Sequence, residues 1–303
     1  MNVLLGYSLH VTGKYREATE VLRRNVDVLS GDRVRERFGL TIVFPSFPSL
    51  TSRERMVRCL GELGEFPEGM RLGEEGMRIA EELEHATSLT AMCLGFGMFL
   101  MRREDLEHAL PVLERGMEVG RRGSIFVYVF TLVAAVGRVQ TLTGRVKEGL
   151  ALMTEVLEDS RARKMALGQA VRLAWLAEGL LVAEEYEPAW ERALESLDYS
   201  RRSNERGQEA WTLHLLGEIA GRRRPGALDD AERFYRDAMA IAEPLGMRPA
   251  MARCFLGLGE LYLREGRVEV AHGHLHTAAG LFRDLGITSL QTRAERLFGA
   301  PRG

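Results

Sequence analysis

The chain has 303 residues, 46% of them hydrophobic and 28% charged, the make-up of a folded protein with ample apolar material to bury. Its 41 Lys and Arg stand against 43 Asp and Glu, a formal net charge of −2, without the basic excess that a dedicated nucleic-acid binder needs. The three cysteines, Cys59, Cys93 and Cys254, are too few and too far apart for a disulfide framework or a CxxC metal pair; they are expected as buried apolar residues in a reducing cytosol.

In chain order, MNVLLGYSLH lacks a basic n-region and its apolar run is too short for a signal peptide. From there a repeat of about forty residues is legible. Small residues recur at Ala18, Gly69, Ala109, Gly149, Ala189, Ala231 and Ala271, with spacings of 51, 40, 40, 40, 42 and 40. Three residues before each stands an apolar one: Tyr15, Phe66, Leu106, Val146, Tyr186, Leu228 and Val268. Twelve before lie Gly6, Val57, Gly97, Gly137, Ala177 and Gly259, and the sixth unit has Gly217 fourteen before. Glycine often sits five before the anchor, at Gly13, Gly64, Gly144, Gly226 and Gly266, where its left-handed backbone can end one helix ahead of the next.

The long first spacing contains TIVFPSFPSL, read as an irregular loop over about 39–50 because Pro45 and Pro48 break a helix. Phe44 and Phe47 in it either pack down over the neighbouring pair or form a lip against a partner. The most apolar stretch, Ile125–Val136, is shorter than a membrane span needs and is expected as a buried helix. In the sixth turn, Arg222, Arg223 and Arg224 read as a solvated basic cluster. Residues about 288–299 read as an amphipathic capping helix, which a solenoid needs to close its last open face.

The pattern is that of paired helices: small residues let two axes approach and large apolar ones fill the grooves beside them. A single pair cannot bury its own apolar face, so neighbours stack into one continuous core. The small–x11–small spacing of LGYSLHVTGKYREA, repeated with the apolar residue three before the anchor in LGLGELYLREGRVEVA, resembles the tetratricopeptide repeat. Here each helix is about one turn longer than in the usual unit of about 34 residues. The run RFGLTIVFPSFPSLTSRERMVRCLGELGEFPEGMRLGEEGMRIAEEL, with ERGQEAWTLHLLGEIAGRR and MARCFLGLGELYLREGRVEVAHGHLHTAAGLFRDLGI, is similar to the C-terminal repeat region of bacterial proteins that join an adenylate/guanylate cyclase domain to an AAA-type ATPase. The resemblance covers essentially the whole chain. It implies an all-α, right-handed α-solenoid of about seven helix pairs with a capping helix, a single domain over 1–303, and a regulatory or scaffolding role in a larger cytoplasmic signalling protein.

No motif for chemistry accompanies the repeat. There is no P-loop, no HExxH and no GxSxG, and LGLGE at Leu256–Glu260 lies mid-helix. His272 and His276 share a helical face and could reach one metal, but His274 points elsewhere and no third ligand is near. The expectation is therefore a non-enzyme without cofactor or metal. Its partner is a protein or peptide segment, or the adjoining domains of its own parent, and neither nucleic acid nor membrane. The alternative is a small-ligand sensor, which would need a deep, enclosed apolar pocket instead of a long, open, polar groove.

In tetratricopeptide folds the first helix of each pair lines the concave face. The residues expected there are Tyr7, His10, Glu54, Arg58, Met98, Met101, Arg138, Thr141, Glu178, His214, Glu218 and Glu260. Glu178, Glu218 and Glu260 recur at one equivalent place, so they either attract a cationic partner segment or are met by arginines of adjacent helices.

Overall fold

Every apolar residue three before an anchor is the first residue of a helix. The computed structural model describes residues 2–37, 46–223 and 228–299. It contains α1 (Val3–Val11) and α2 (Tyr15–Val28), a 3-10 turn (Gly31–Arg35), α3 (Pro48–Leu63) and α4 (Phe66–Glu82). The third and fourth pairs are α5 (Ala86–Arg102) with α6 (Leu106–Arg122) and α7 (Phe126–Leu142) with α8 (Val146–Ala162). They are followed by α9 (Gln169–Val182) with α10 (Tyr186–Arg202), and α11 (Arg206–Arg223) with α12 (Leu228–Ala242). The last pair is α13 (Arg248–Arg264) with α14 (Val268–Leu285), capped by α15 (Thr288–Phe298). Among the described residues there is no strand, and the architecture is an α-solenoid.

The anchors work as close-approach points. Ala18, Ala109, Ala189, Ala231 and Ala271 are wholly buried. On the facing helix, a Cβ on Gly97 would collide with Leu113, four residues past Ala109, and a Cβ on the anchor Gly149 would meet the Gly137 carbonyl. The left-handed turn residue is more tolerant of type than the glycine pattern implies. Gly144 adopts φ 97°, but Glu104 and Glu184 hold the equivalent place at 65° and 61°. Gly226 and Arg224 lie outside the described residues.

Two layers differ in wrapping. The even-numbered helices bury one stripe each; α6 buries only Ala109, Leu113, Gly116 and Gly120, the amphipathic signature of an outer helix. The odd-numbered helices from α3 to α13 are enclosed on more than one side, and α7 buries every residue from Val129 to Thr141. Cys59, Cys93 and Cys254 sit in this inner layer, reduced and buried.

Two local expectations change. Pro48 does not keep the chain irregular to residue 50: it opens α3, where its missing N–H is one that no helix start can satisfy. Phe47 packs inward, edge-on to His85 at 5.0 Å and beneath Arg37, while its N–H donates to Ser88 Oγ; Phe44 and Pro45 lie outside the described residues. His272 and His276, the pair that could share a metal, both lie against the Phe298 ring of α15.

A chamber closed by the turn of the solenoid

The inner layer curves until its first repeats meet its last. Trp211 Nε1 of α11 donates to Glu62 Oε2 of α3 at 2.7 Å, 149 residues away, while the Arg102 guanidinium lies 4.0 Å over the Trp211 ring and donates to Glu62 Oε1 at 2.9 Å. Arg253 of α13 pairs with Glu104 in the α5–α6 turn. Gly207, at the start of α11, lies so close to the Tyr15 hydroxyl that a side chain there would collide with it.

The curve encloses a chamber of about 410 Å3 between α1, α3, α5, α7 and the starts of α9 and α11. Its inner wall carries Tyr7, Arg55, Arg58 and Tyr128, and one rim is apolar, with Val127, Leu167 and Val171. Leu167 and Val127 are 50% and 37% exposed, so this rim is where the chamber meets solvent. A second cavity, of about 70 Å3, adjoins it beside Trp211.

Of the residues expected on the concave face, Tyr7, His10, Arg58 and Met98 line the chamber. Met101, Arg138, Glu178, His214 and Glu218 line the smaller cavity. Glu54 is buried behind the chamber wall, between Arg55 and Arg58. Thr141 packs within its own pair, its hydroxyl donating to Gly137 O at 2.9 Å. Glu260 points to the end of the solenoid, 2.6 Å from Arg293 of the capping helix.

The supposed acidic wall is answered internally. Arg138 grips Glu178 in the next repeat through both oxygens, at 2.5 and 3.0 Å. Burial opposes the charge on both, and the pairing outweighs it: Glu178 is held below the ordinary carboxylate range and Arg138 above its usual value. Glu218 stands 3.9 Å from Arg222 on its own helix. Arg138 comes from the preceding repeat, Arg222 from the same helix and Arg293 from the capping helix, so each of the three glutamates has an arginine of this chain beside it.

Trp211, Arg102, Glu62, Arg55, Tyr128 and Glu205 also shape the site and are absent from the expected set. Arg55, Glu62 and Arg102 carry a signal in the sequence: they lie three or four residues from Arg58 or Met98, on the same helical face. Trp211 lies two turns before Glu218 and one turn before His214. No local pattern marks Glu205, which enters from the α10–α11 turn. Burial raises the Glu205 carboxyl above its ordinary range, against the pull of Arg58 and Arg172.

His10 and Cys59 do not form a catalytic dyad. His10 Nδ1 is 3.3 Å from Cys59 Sγ, but burial, aided by Arg58 and Arg55, keeps the ring neutral well below its usual pKa. Burial also pushes the Cys59 thiol far up. A nucleophilic dyad needs these shifts reversed. Among the described residues no three His, Cys, Asp or Glu are placed to hold a metal, and no helix is long and apolar enough to cross a membrane.

No protein-family model and no curated protein matches the chain. Solved structures do. A Rap protein complexed with competence and sporulation factor is 14% identical with TM-score 0.70, over 97% of this chain and 79% of that one. NprR in complex with its cognate peptide NprX is 10% identical with TM-score 0.62, over 98% and 82%. The apo form of RapI is 12% identical with TM-score 0.61, over 97% and 96%. At these identities the likeness concerns the fold, that of tetratricopeptide-like repeat proteins.

Proposed function

We propose that this chain is an interaction module that binds a short peptide segment in its central chamber and catalyses nothing itself. The observation that carries the reading is the chamber's size and lining. About 410 Å3 lies within the ordinary range of small-ligand sites and is far too little for a folded partner. Its walls are amphipathic, with tyrosines, Trp211 and arginines, residue types that recognise peptides through stacking and hydrogen bonds at once. That a structure of similar fold, NprR, holds its cognate peptide, and another, a Rap protein, holds a competence and sporulation factor, supports the choice. A small-molecule effector is the second reading, favoured by the enclosure of the chamber. In either case the bound segment bridges repeats that are distant in sequence, which suits a regulatory region of a larger signalling protein such as the cyclase–ATPase fusions that the sequence resembles.

The test is a library of synthetic four- to seven-residue peptides, screened by native mass spectrometry and confirmed by calorimetry against the chain and its Leu167→Trp variant. Leu167 is half exposed at the rim, so the larger ring narrows the entrance without entering the core. The expected result is a selected set of peptides bound at about micromolar Kd and weakened at least tenfold by Leu167→Trp. Equal binding to both proteins, or a silent library, overturns the reading.

A further inference from the structure

The four arginines that surround the chamber are unequally answered. Arg102 is satisfied by Glu62 and by the face of Trp211. Arg55 and Arg58, one turn apart on α3, have only Glu54 between them: Arg55 Nε lies 3.3 Å from Glu54 Oε2 and Arg58 Nη1 lies 3.5 Å from Oε1. The Arg55 Nε–H is fully buried and has no hydrogen-bond partner, although its guanidinium lies 4.8 Å over the Tyr7 ring. Behind the wall, Arg172 is 1% exposed. It donates to Thr131 Oγ1, Gln169 Oε1 and the carbonyls of Met165 and Leu167, with no carboxylate bonded to it. Burial pushes its pKa down to about 10.

Three glutamates face these four cations. Glu62 is committed to Arg102 and Trp211, Glu54 is shared, and Glu205 stands on the α10–α11 wall with its carboxyl drawn toward the protonated form by burial. His10 adds no negative charge, and burial keeps it neutral. Arg55 and Arg58 thus share one carboxylate, an excess of positive charge on the chamber wall that attracts an anion. A planar two-oxygen group fits two guanidinium forks set side by side.

Building on the peptide reading above, we propose that the chamber selects a peptide carrying a carboxylate and that the guanidinium groups of Arg55 and Arg58 together hold it. The carboxylate comes from the peptide's C-terminus or from an acidic side chain. Tyr7 and Tyr128 flank the arginines and bound the pocket for the group that carries it. The apolar rim at Val127, Leu167 and Val171 receives the rest of the segment. This is the opposite charge preference to the one that Glu178, Glu218 and Glu260 suggest when read without their partners.

The experiment compares each selected peptide in three forms: with a free C-terminal acid, with a C-terminal amide, and as the amide with every Asp and Glu changed to Asn and Gln. Removing the recognised carboxylate is expected to weaken binding at least tenfold, and whichever step causes the loss names its source. In Arg55→Gln/Arg58→Gln that preference is expected to fall below twofold, with the fully neutral peptide bound as well as before. If the three forms bind the parent chain equally, or if the preference survives in the double variant, the carboxylate site is wrong while the peptide chamber stands. If no form binds, the chamber reading fails with it. The comparison on the parent chain decides the matter even where the double variant folds poorly.

Discussion

Arg58 and Arg138 occupy the same place in two repeats, eighty residues apart, and end in opposite electrostatic situations. On the downstream wall, Arg138 reaches the equivalent residue of the next repeat, Glu178, and the two neutralise each other through a two-pronged bond. On the upstream wall the next equivalent residue is Met98, so Arg58 turns to Glu54, which Arg55 also needs. Register decides which residues face inward. What the neighbouring repeat offers at that register decides whether a charge is spent on the fold or left for a ligand.

The largest effect expected from this difference is on stability. Arg138→Met leaves Glu178 in a largely buried place without its partner and should cost about 3 kcal/mol in urea unfolding. Adding Glu178→Leu should recover most of that loss, because an apolar pair replaces the ionic one. A loss that the second change does not recover would mean that the pair contributes through packing alone.

Protonation sharpens the comparison, since each wall holds one buried histidine. Burial lowers the pKa of His10, with Arg58 and Arg55 adding to it, and burial is also the main cause at His214. The native state therefore refuses protons that the unfolded chain accepts below about pH 6.5. Stability is full above that value and falls as the pH drops toward the folded pKa, with a slope of up to about 1.4 kcal/mol per pH unit for each ring. Unfolding measured between pH 7 and 5 should show this slope, and His10→Gln/His214→Gln should flatten it. An unchanged slope would place the acid sensitivity elsewhere.

The smallest effect is the most diagnostic. Arg55→Met should change stability by less than about 1 kcal/mol, in either direction, because the native state loses an unsatisfied buried donor along with a charge. A loss as large as that of Arg138→Met would mean that Arg55 is structurally satisfied and not held ready for a ligand.

Most of the fold is legible in the sequence. Gly97 and Ala109 are close-approach residues, and their spacing follows from helix geometry alone, which is why the anchors fall at the fourth residue of each outer helix. The role of Pro48 is not legible, because a proline that interrupts a helix and one that opens it look alike in sequence. The site was only half readable. His10 and Met98 follow from periodicity within one helix, whereas the contact of Trp211 with Glu62 spans 149 residues and depends on how far the solenoid curves. That curvature accumulates from small rotations between repeats, and no local pattern encodes it. The same limit explains the glutamates: Glu178 is visible as a lining residue, but its answer from Arg138 requires the distance between neighbouring repeats.

The central claim is that the ligand enters the chamber instead of lying on the outside of the solenoid. The three tryptophans report on it separately, since Trp211 lines the chamber, Trp175 the smaller cavity, and Trp190 packs between Phe234 and Arg223 on the outer layer. With the chain labelled with 5-fluorotryptophan, titration with a selected peptide followed by fluorine NMR should shift the Trp211 resonance strongly and leave Trp190 in place. A peptide that moves Trp190 and not Trp211 would contradict the account.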